Sequence, residues 1–303
     1  MKKDDVLVTV GVMTYNSSKF VIETLDSINN QDYKRMELVV SDDGSKDDTI
    51  KIVNDWIEKH ASRFESVQVL TVEKNTGTAG NCNRILRAAR GEWVKYIAGD
   101  DVLLNNGIKK LIEFIKENNE VSWLFGKSVF YNGEISPDHI NEEGFTRYNE
   151  RLLDLLNGTA KEQFKRLLKF NNFVGPGHII RRKTLISVGG FDEDLFILED
   201  YPMWLRLTGA DIKCHFLDEY IAGYRLSDQS VCANRMRLFN LTLSELLYKM
   251  KRKYCYKYYR RRDKIATIVK FYIDIVFHKL GCNKLKYQKV YSVLHAAANQ
   301  LYK

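Results

Sequence analysis

The sequence predicts an α/β fold around a largely parallel sheet, and three observations predict it. β-rich runs alternate with helical stretches through the first hundred residues, the pattern of βαβ units. Short clusters of Asp, Asn and Gly follow the β-rich runs, where a parallel sheet gathers its carboxyl ends and open α/β sheets bind ligands. The 303 residues, 45% apolar and 12% aromatic with 18 Gly and three Pro, suffice for a large core and exclude disorder and collagen.

Strands are predicted over 6–13, 37–41, 67–72 and 93–97, with helices over 20–29, 48–60 and 77–89 between them. The segments just beyond the strands are Thr14-Tyr15-Asn16, Asp42-Asp43-Gly44-Ser45, Asn75-Thr76-Gly77 and Gly99-Asp100-Asp101. A helix over 106–118 and a strand over 121–131 follow, then a polar loop with Gly133, Pro137 and Gly144. Helices over 148–157 and 161–169 lead to the loop 171–178, which ends Gly-Pro-Gly-His, and a strand over 179–181. Gly189-Gly190-Phe191-Asp192, a helix opened by Glu199-Asp200, and two short strands over 212–216 and 220–224 complete the body. From Arg235 onward the pattern is helical with few breakers, which predicts two or three helices.

Charge divides the chain in two. Residues 233–303 hold 17 Lys+Arg and 3 Asp+Glu, whereas residues 1–232 hold 30 and 36. An acidic body with a basic helical end implies an anionic partner for the tail, a membrane surface or nucleic acid. Cysteines at 82, 214, 232, 255 and 282 are odd in number and form no CxxC pair, which fits a reducing compartment. The amino terminus, Met1-Lys2-Lys3-Asp4-Asp5, carries no apolar signal region. The most apolar stretch, 265–280, is interrupted by Lys270 and Asp274 and falls short of the roughly 20 residues a membrane span needs. The expected location is cytoplasmic, peripheral on the inner face of the membrane.

The paired acids are the chemistry-bearing feature. Asp42-Asp43 suits either an Asx turn capping the next helix or a ligand site. Asp100-Asp101 ends a buried strand where one cap would suffice, and two carboxylates in one cleft repel unless a cation or a donor-rich ligand separates them. Asp200 opens a helix with Pro202 in its first turn, so it suits capping and also the role of a fixed general base. Arg225 reads as a cation for a ligand or as a surface ion pair. His178 suits an acceptor site or a structural role, while Trp123, Phe125, Trp204 and Arg206 read as core and salt-bridge residues.

These blocks together resemble a family 2 glycosyltransferase. The resemblance runs through residues 10–16, Leu25-Asp26-Ser27-Ile28, Gln31-Asp32-Tyr33, residues 37–45 with Asp48-Thr49, Asn75, Gly77, Asn83, Gly91-Glu92-Trp93 and Asp100-Asp101. It continues through Gly189-Gly190-Phe191-Asp192, Glu199-Asp200 and Tyr224-Arg225, about 225 of the 303 residues. It implies the GT-A fold: a Rossmann-like, mostly parallel central sheet flanked by helices, here with a C-terminal helical extension. The implied division is a catalytic domain over 1–232, with a nucleotide-sugar half (1–104) and an acceptor half (105–232), and a basic extension over 233–303.

The resemblance places Thr14, Tyr15, Asn16, Asn75, Gly77 and Asn83 at the donor site, with Tyr15 against the base. Asp43, helped by Asp42, would hold base and ribose, Asp100 ribose or sugar, and Asp101 a Mg²⁺ or Mn²⁺ ion on the diphosphate. Arg225 would offset charge on the leaving diphosphate, and Asp200 would be the base of an inverting transfer. The implied partners are a nucleotide-sugar donor, with UDP-sugars first, and a glycan or lipid-linked acceptor met at the membrane through 233–303. Three positions depart from the family pattern: Ala98 and Ser227 replace an acid and a His, and Cys82 replaces an Arg. The first two predict weak metal binding by the protein alone. The rival activities are a sugar-phosphate nucleotidyltransferase, which wants a Gly-rich loop that residues 14–18 lack, and a nucleic-acid-binding module using the basic tail.

Overall fold

The computed structural model describes residues 6–169, 176–226 and 238–300. Met1-Lys2-Lys3-Asp4-Asp5, most of the loop 171–178, Ser227 and Cys232 lie outside the described residues. The chain divides into two compact units, Met1–Arg225 and Leu226–Lys303.

The first unit opens with β1 (Val8–Thr14), α1 (Val21–Asn29), β2 (Met36–Asp42), α2 (Thr49–His60), β3 (Val67–Thr71), α3 (Gly77–Ala88) and β4 (Trp93–Ala98). Next come β5 (Val102–Leu103), α4 (Gly107–Glu117), β6 (Trp123–Asn132), α5 (Glu142–Leu156) and α6 (Ala160–Leu167). The unit closes with β7 (His178–Arg181), α7 (Arg182–Ser187), α8 (Asp200–Gly209) and β8 (His215–Leu226). The strands form one sheet in the order β3-β2-β1-β4-β7-β6-β8-β5.

β3, β2, β1 and β4 run parallel, each joined to the next in sequence by a helix. The expectation of a mostly parallel sheet stops there. β7 pairs antiparallel with both β4 and β6, and β5 pairs antiparallel with β8, so the whole sheet is mixed. The chain reaches β7 through α5 and α6, not through one crossover helix, and re-enters the sheet reversed. Two further expectations are corrected. In place of two short strands over 212–216 and 220–224 there is one strand, β8, which runs on through Asp218 and Glu219, ion-paired with Lys127 and Lys110. The helix expected over 148–157 begins at Glu142, since the Asn141 side chain accepts from the Gly144 amide at 2.8 Å and caps it.

Core residues sit on both sheet faces. Val8, Val10, Val12, Leu38 and Val40 pack with Leu25 and Ile28 of α1 and Leu111 of α4. On β4 and β6 the aromatic layer Tyr96, Trp123 and Phe125 meets Phe191, Trp204 and His178, with Trp123 and Trp204 stacked at 4.6 Å. His178 is therefore an aromatic-layer residue, 5% exposed.

The second unit contains α9 (Leu241–Met250), a π-helical segment Lys251–Cys255, α10 (Arg261–Lys279) and α11 (Gln288–Gln300). α10 packs on α9 and α11. Asp274 of α10 accepts from the Tyr291 hydroxyl of α11 at 2.8 Å and lies 3.0 Å from His295 Nε2. No helix among the described residues is long and apolar enough to cross a membrane.

Glu37 stitches the amino-terminal edge of the sheet. It is fully buried and accepts from Thr9 Oγ1 at 2.5 Å, from the Arg90 and Gly91 amides at 2.6 and 3.0 Å, and from Arg90 Nε at 3.1 Å. Burial raises its pKa, but these bonds outweigh it and hold the carboxyl below the ordinary range. Its stabilisation is thus present above the unfolded-state pKa and lost as pH falls through the lower folded-state value. Glu37→Gln is expected to lose about 1–3 kcal/mol at pH 7, and to show a shallower fall in stability on acidification than the native chain, both read by urea unfolding from pH 7 to pH 3.

Candidate active site

The strand order turns back between β1 and β4, since β2 and β3 lie on one side of β1 and the later strands on the other. The crevice beyond the carboxyl ends of such neighbours is the ligand site of open α/β sheets. Thr14 to Asn16 enter it from β1, and Asp100 and Asp101 from β4.

The two acids after β2 are held by the chain itself. Asp42 accepts from Thr14 Oγ1 (2.8 Å), Ser45 Oγ (2.5 Å) and the Gly44 and Ser45 amides (3.1 and 2.8 Å). All four acceptor positions of the carboxylate are filled, so Asp42 realises the Asx-turn reading. Asp43 accepts from the Thr76 and Gly77 amides, from Thr76 Oγ1 at 2.7 Å and from Arg84 at 2.6 Å. It thereby seats the start of α3 against β2. Gly77 has φ +80°, and a Cβ there would lie 2.5 Å from the Phe196 ring, so the position requires glycine. Asn75 Oδ1 accepts from the same Gly77 amide at 2.9 Å. Asn16, at φ 51°, donates its amide to Ser45 Oγ and accepts from the Lys46 amide, both at 2.8 Å. Beside this bonded network the Tyr15 side chain stands 49% exposed, an open aromatic face at the mouth of the crevice.

Asp100 and Asp101 are different. Burial raises the Asp100 carboxyl, and burial together with the Asp100 charge pushes Asp101 well above the carboxylate range. Asp101 takes one bond from the Arg225 amide at 2.9 Å. The Arg225 side chain is engaged within the chain. It is 1% exposed; Nε donates to the Asp100 carbonyl at 2.8 Å, one terminal nitrogen to the Gly133 carbonyl and the other to Glu23 at 2.6 Å, and the guanidinium lies 4.2 Å from the Phe20 ring. It clamps the Asp100–Asp101 turn. Below lies Lys95, fully buried, which donates to the Tyr96 and Pro176 carbonyls and whose pKa burial lowers to about 7 despite the Asp101 charge.

On the acceptor side, Asp200 is the first residue of α8 and Glu199 precedes it without a side-chain capping bond. Among the described residues no hydrogen bond reaches the Asp200 carboxylate. Burial and the Glu199 charge hold its pKa well above the ordinary value, while burial raises Glu199 to about 7. Asn83 closes both ends of its amide on the chain: Oδ1 accepts from the Phe191 amide, and Nδ2 donates to the Phe191 carbonyl at 2.9 Å and to Glu193 at 2.8 Å. It forms a strut between α3 and the Gly189–Asp192 loop. Arg206 braces the same loop through the Val188 and Gly190 carbonyls. Phe196, at φ 47° and 41% exposed, accepts from the Ala79 amide at 3.0 Å and lays its ring over Gly77. Cys82 lies buried among these groups, within electrostatic reach of Asp43 and Arg84 on one side and Glu199 and Asp200 on the other.

Arg84, Lys95 and Phe196 were not singled out by the sequence. Arg84 follows Asn83 on α3 and had a motif neighbour as a signal; a Lys between apolar strand residues and a Phe in a loop gave none.

No three Asp, Glu, His or Cys side chains among the described residues gather as a metal set. Asp100 and Asp101 are nonetheless a pair whose charge the chain leaves under-compensated, an arrangement that a hard divalent cation relieves. Two carboxylates fit a Mg²⁺ or Mn²⁺ ion whose other ligands are phosphate oxygens.

The sequence model of the family described as Glycosyl transferase family 2 matches residues 9–189. The chain is 26% identical over 239 residues to the Escherichia coli protein "UDP-Glc:alpha-D-GlcNAc-diphosphoundecaprenol beta-1,3-glucosyltransferase WfgD", which covers 77% of this chain and 83% of that one. The fold of this chain matches the solved structures of S. aureus TarS 1-349 in complex with UDP-GlcNAc (TM-score 0.61, 20% identity, 97% of this chain and 81% of that one) and of the Pyrobaculum calidifontis mannosyltransferase PcManGT in complex with GDP-Man and Mn²⁺ (TM-score 0.60, 20% identity, 83% and 64%).

The clamp predicts a stability effect. Arg225→Met is expected to lower unfolding free energy by about 2–4 kcal/mol, because the Asp100 and Gly133 carbonyls lose their donor and Asp101 loses a nearby positive charge. Arg225→Lys should restore only part of it, since an ammonium cannot span three acceptors held in a guanidinium's plane. Chemical denaturation of both variants checks the order.

Proposed function

The chain belongs to glycosyltransferase family 2, and on that premise we propose that it is an inverting enzyme moving a sugar from a UDP-sugar to a hydroxyl of a glycan or lipid-linked oligosaccharide. One observation carries the reading. Asp42 and Asp43 are satisfied within the chain, whereas Asp100, Asp101 and Asp200 receive few donors and burial raises their carboxyls. The first pair builds the loop; the others have chemistry left to do.

In this reading the base of the donor stacks on Tyr15, beside the Thr14–Asn16 segment and the Asp43–Arg84 pair, with Asn75 and Gly77 shaping the floor. Asp42 and Asn83 act by holding those loops. Asp100 faces the ribose or the sugar, and Asp101 with Asp100 would hold Mg²⁺ or Mn²⁺. Such an ion supplies charge neutralisation for the departing diphosphate. Asp200 takes the proton of the acceptor hydroxyl as that oxygen attacks the anomeric carbon from the face opposite the diphosphate, so an α-linked donor gives a β-linked product. A carboxyl raised toward neutrality is a stronger base than a solvent-exposed one. The reading is supported by the E. coli relative, whose name states a UDP-glucose donor and a diphosphoundecaprenol acceptor. A lipid-linked acceptor and the basic tail both support a peripheral position at the cytoplasmic face of a membrane, met through 233–303. The nucleotidyltransferase alternative lacks its Gly-rich loop after β1, and the nucleic-acid alternative leaves the carboxylates of the first unit without a role.

Asp200→Asn is expected to lose turnover by about 10²–10⁴ while binding UDP-sugar nearly as tightly as the native chain, measured by calorimetry beside a transfer assay. Collapse of donor affinity with turnover of bound donor preserved would make Asp200 a donor residue instead.

The base works ionised, so activity falls as pH drops through its raised pKa. Glu199→Gln removes the like charge that raises Asp200, and the acid limb of kcat/KM should move to lower pH. An unmoved or upward-shifted limb would separate Glu199 from the titration.

A further inference from the structure

α10 turns the usual surface helix inside out. Its acids face inward: Asp263 and Asp274 are 8% and 7% exposed, and Asp274 is bonded by Tyr291 and lies against His295. Four of its apolar side chains face outward. Ile265, Val269, Tyr272 and Val276 recur at spacings of four, three and four and are all exposed, Tyr272 by 57%, so they form one stripe along the helix. On α11, Val290, Val293 and Leu294 make a second exposed apolar face, Val293 by 67%. Contiguous exposed apolar surface of this kind marks an interaction site.

The charges at the ends of the stripe choose the partner. Arg261 and Arg262 stand at the start of α10 and Lys279 at its end, all exposed, and no acid shares the exposed face. A second copy pairing along α10 would set basic end against basic end in either direction. An anionic lipid surface matches both features, an apolar interior beneath a layer of phosphates.

We propose that the exposed stripe of α10, with the apolar face of α11, inserts into the headgroup–acyl boundary of an anionic bilayer. The 19-residue helix lies in the membrane plane over about 28 Å, its basic ends on lipid phosphates. This rests on the membrane contact of the proposed function and adds its mode, insertion of a named face in place of charge attraction alone.

The test uses the full-length chain carrying Tyr272→Trp. The native tryptophans, Trp56, Trp93, Trp123 and Trp204, are all buried, so a new shift in emission reports position 272. With phosphatidylglycerol vesicles the emission should move to the blue and be quenched by lipids brominated along the acyl chain, and phosphatidylcholine vesicles should give neither. Adding Val269→Glu and Val276→Glu, both at exposed positions, should weaken vesicle binding by about tenfold or more without changing the thermal midpoint. Vesicle binding without quenching would overturn insertion and leave an electrostatic contact standing. No binding to anionic vesicles would overturn the membrane contact as well. Emission already blue without lipid would overturn the proposal in favour of protein covering the stripe, with sedimentation telling a dimer from an internal contact.

Discussion

A single buried guanidinium fixes the geometry on which the candidate site depends. Arg225 lies near the end of β8, yet its side chain reaches the carbonyl after β4, the turn after β6 and the first turn of α1. Its own amide bonds the Asp101 carboxylate. The parallel and antiparallel parts of the sheet are thereby tied at the turn that carries Asp100 and Asp101. Burying a charge is costly unless it is bonded throughout, and here each side-chain nitrogen has an acceptor.

From that tie the carboxylates sort by environment. Those after β2 are surrounded by amides and hydroxyls and act as structural acceptors. Those after β4 and at the start of α8 have fewer donors, and burial raises their pKa values. The same residue type thus supplies scaffold in one loop and proposed chemistry in two others, and the difference lies in the number of donors that the neighbouring backbone presents. Asn83 and Phe196 join α3 to the loop before α8, and Arg206 ties that loop to α8 itself, so the residues proposed for donor and acceptor rest on shared struts.

Much of this was legible in the sequence. The first hundred residues follow period and punctuation closely enough that β1 to β4 and α1 to α3 fall within two residues of expectation. The family resemblance marked the segments at the carboxyl ends of the strands. The second half was less legible because strand direction is set by where an excursion ends, which periodicity does not encode. β8 was divided because Asp218 and Glu219 look like a turn when their partners on β6 and α4 are unseen. The motifs also carried no sign of how far each residue is engaged by the chain itself: Asp42, Asn83 and Arg225 carry the motif, and their polar atoms are bonded within the chain. Lys95 was invisible for the opposite reason, since a charged residue in a strand reads as solvent-facing until the sheet buries it.

The account's central claim is a single displacement in which a carboxylate on α8 deprotonates the acceptor while the donor leaves from the opposite face. Proton NMR of the glycoside released from an α-linked UDP-sugar tests it most directly, through the anomeric coupling of the newly formed bond. The account predicts a β-linked product from the first turnover, with no sugar covalently attached to the protein; an α-linked product or a glycosylated enzyme intermediate would contradict it.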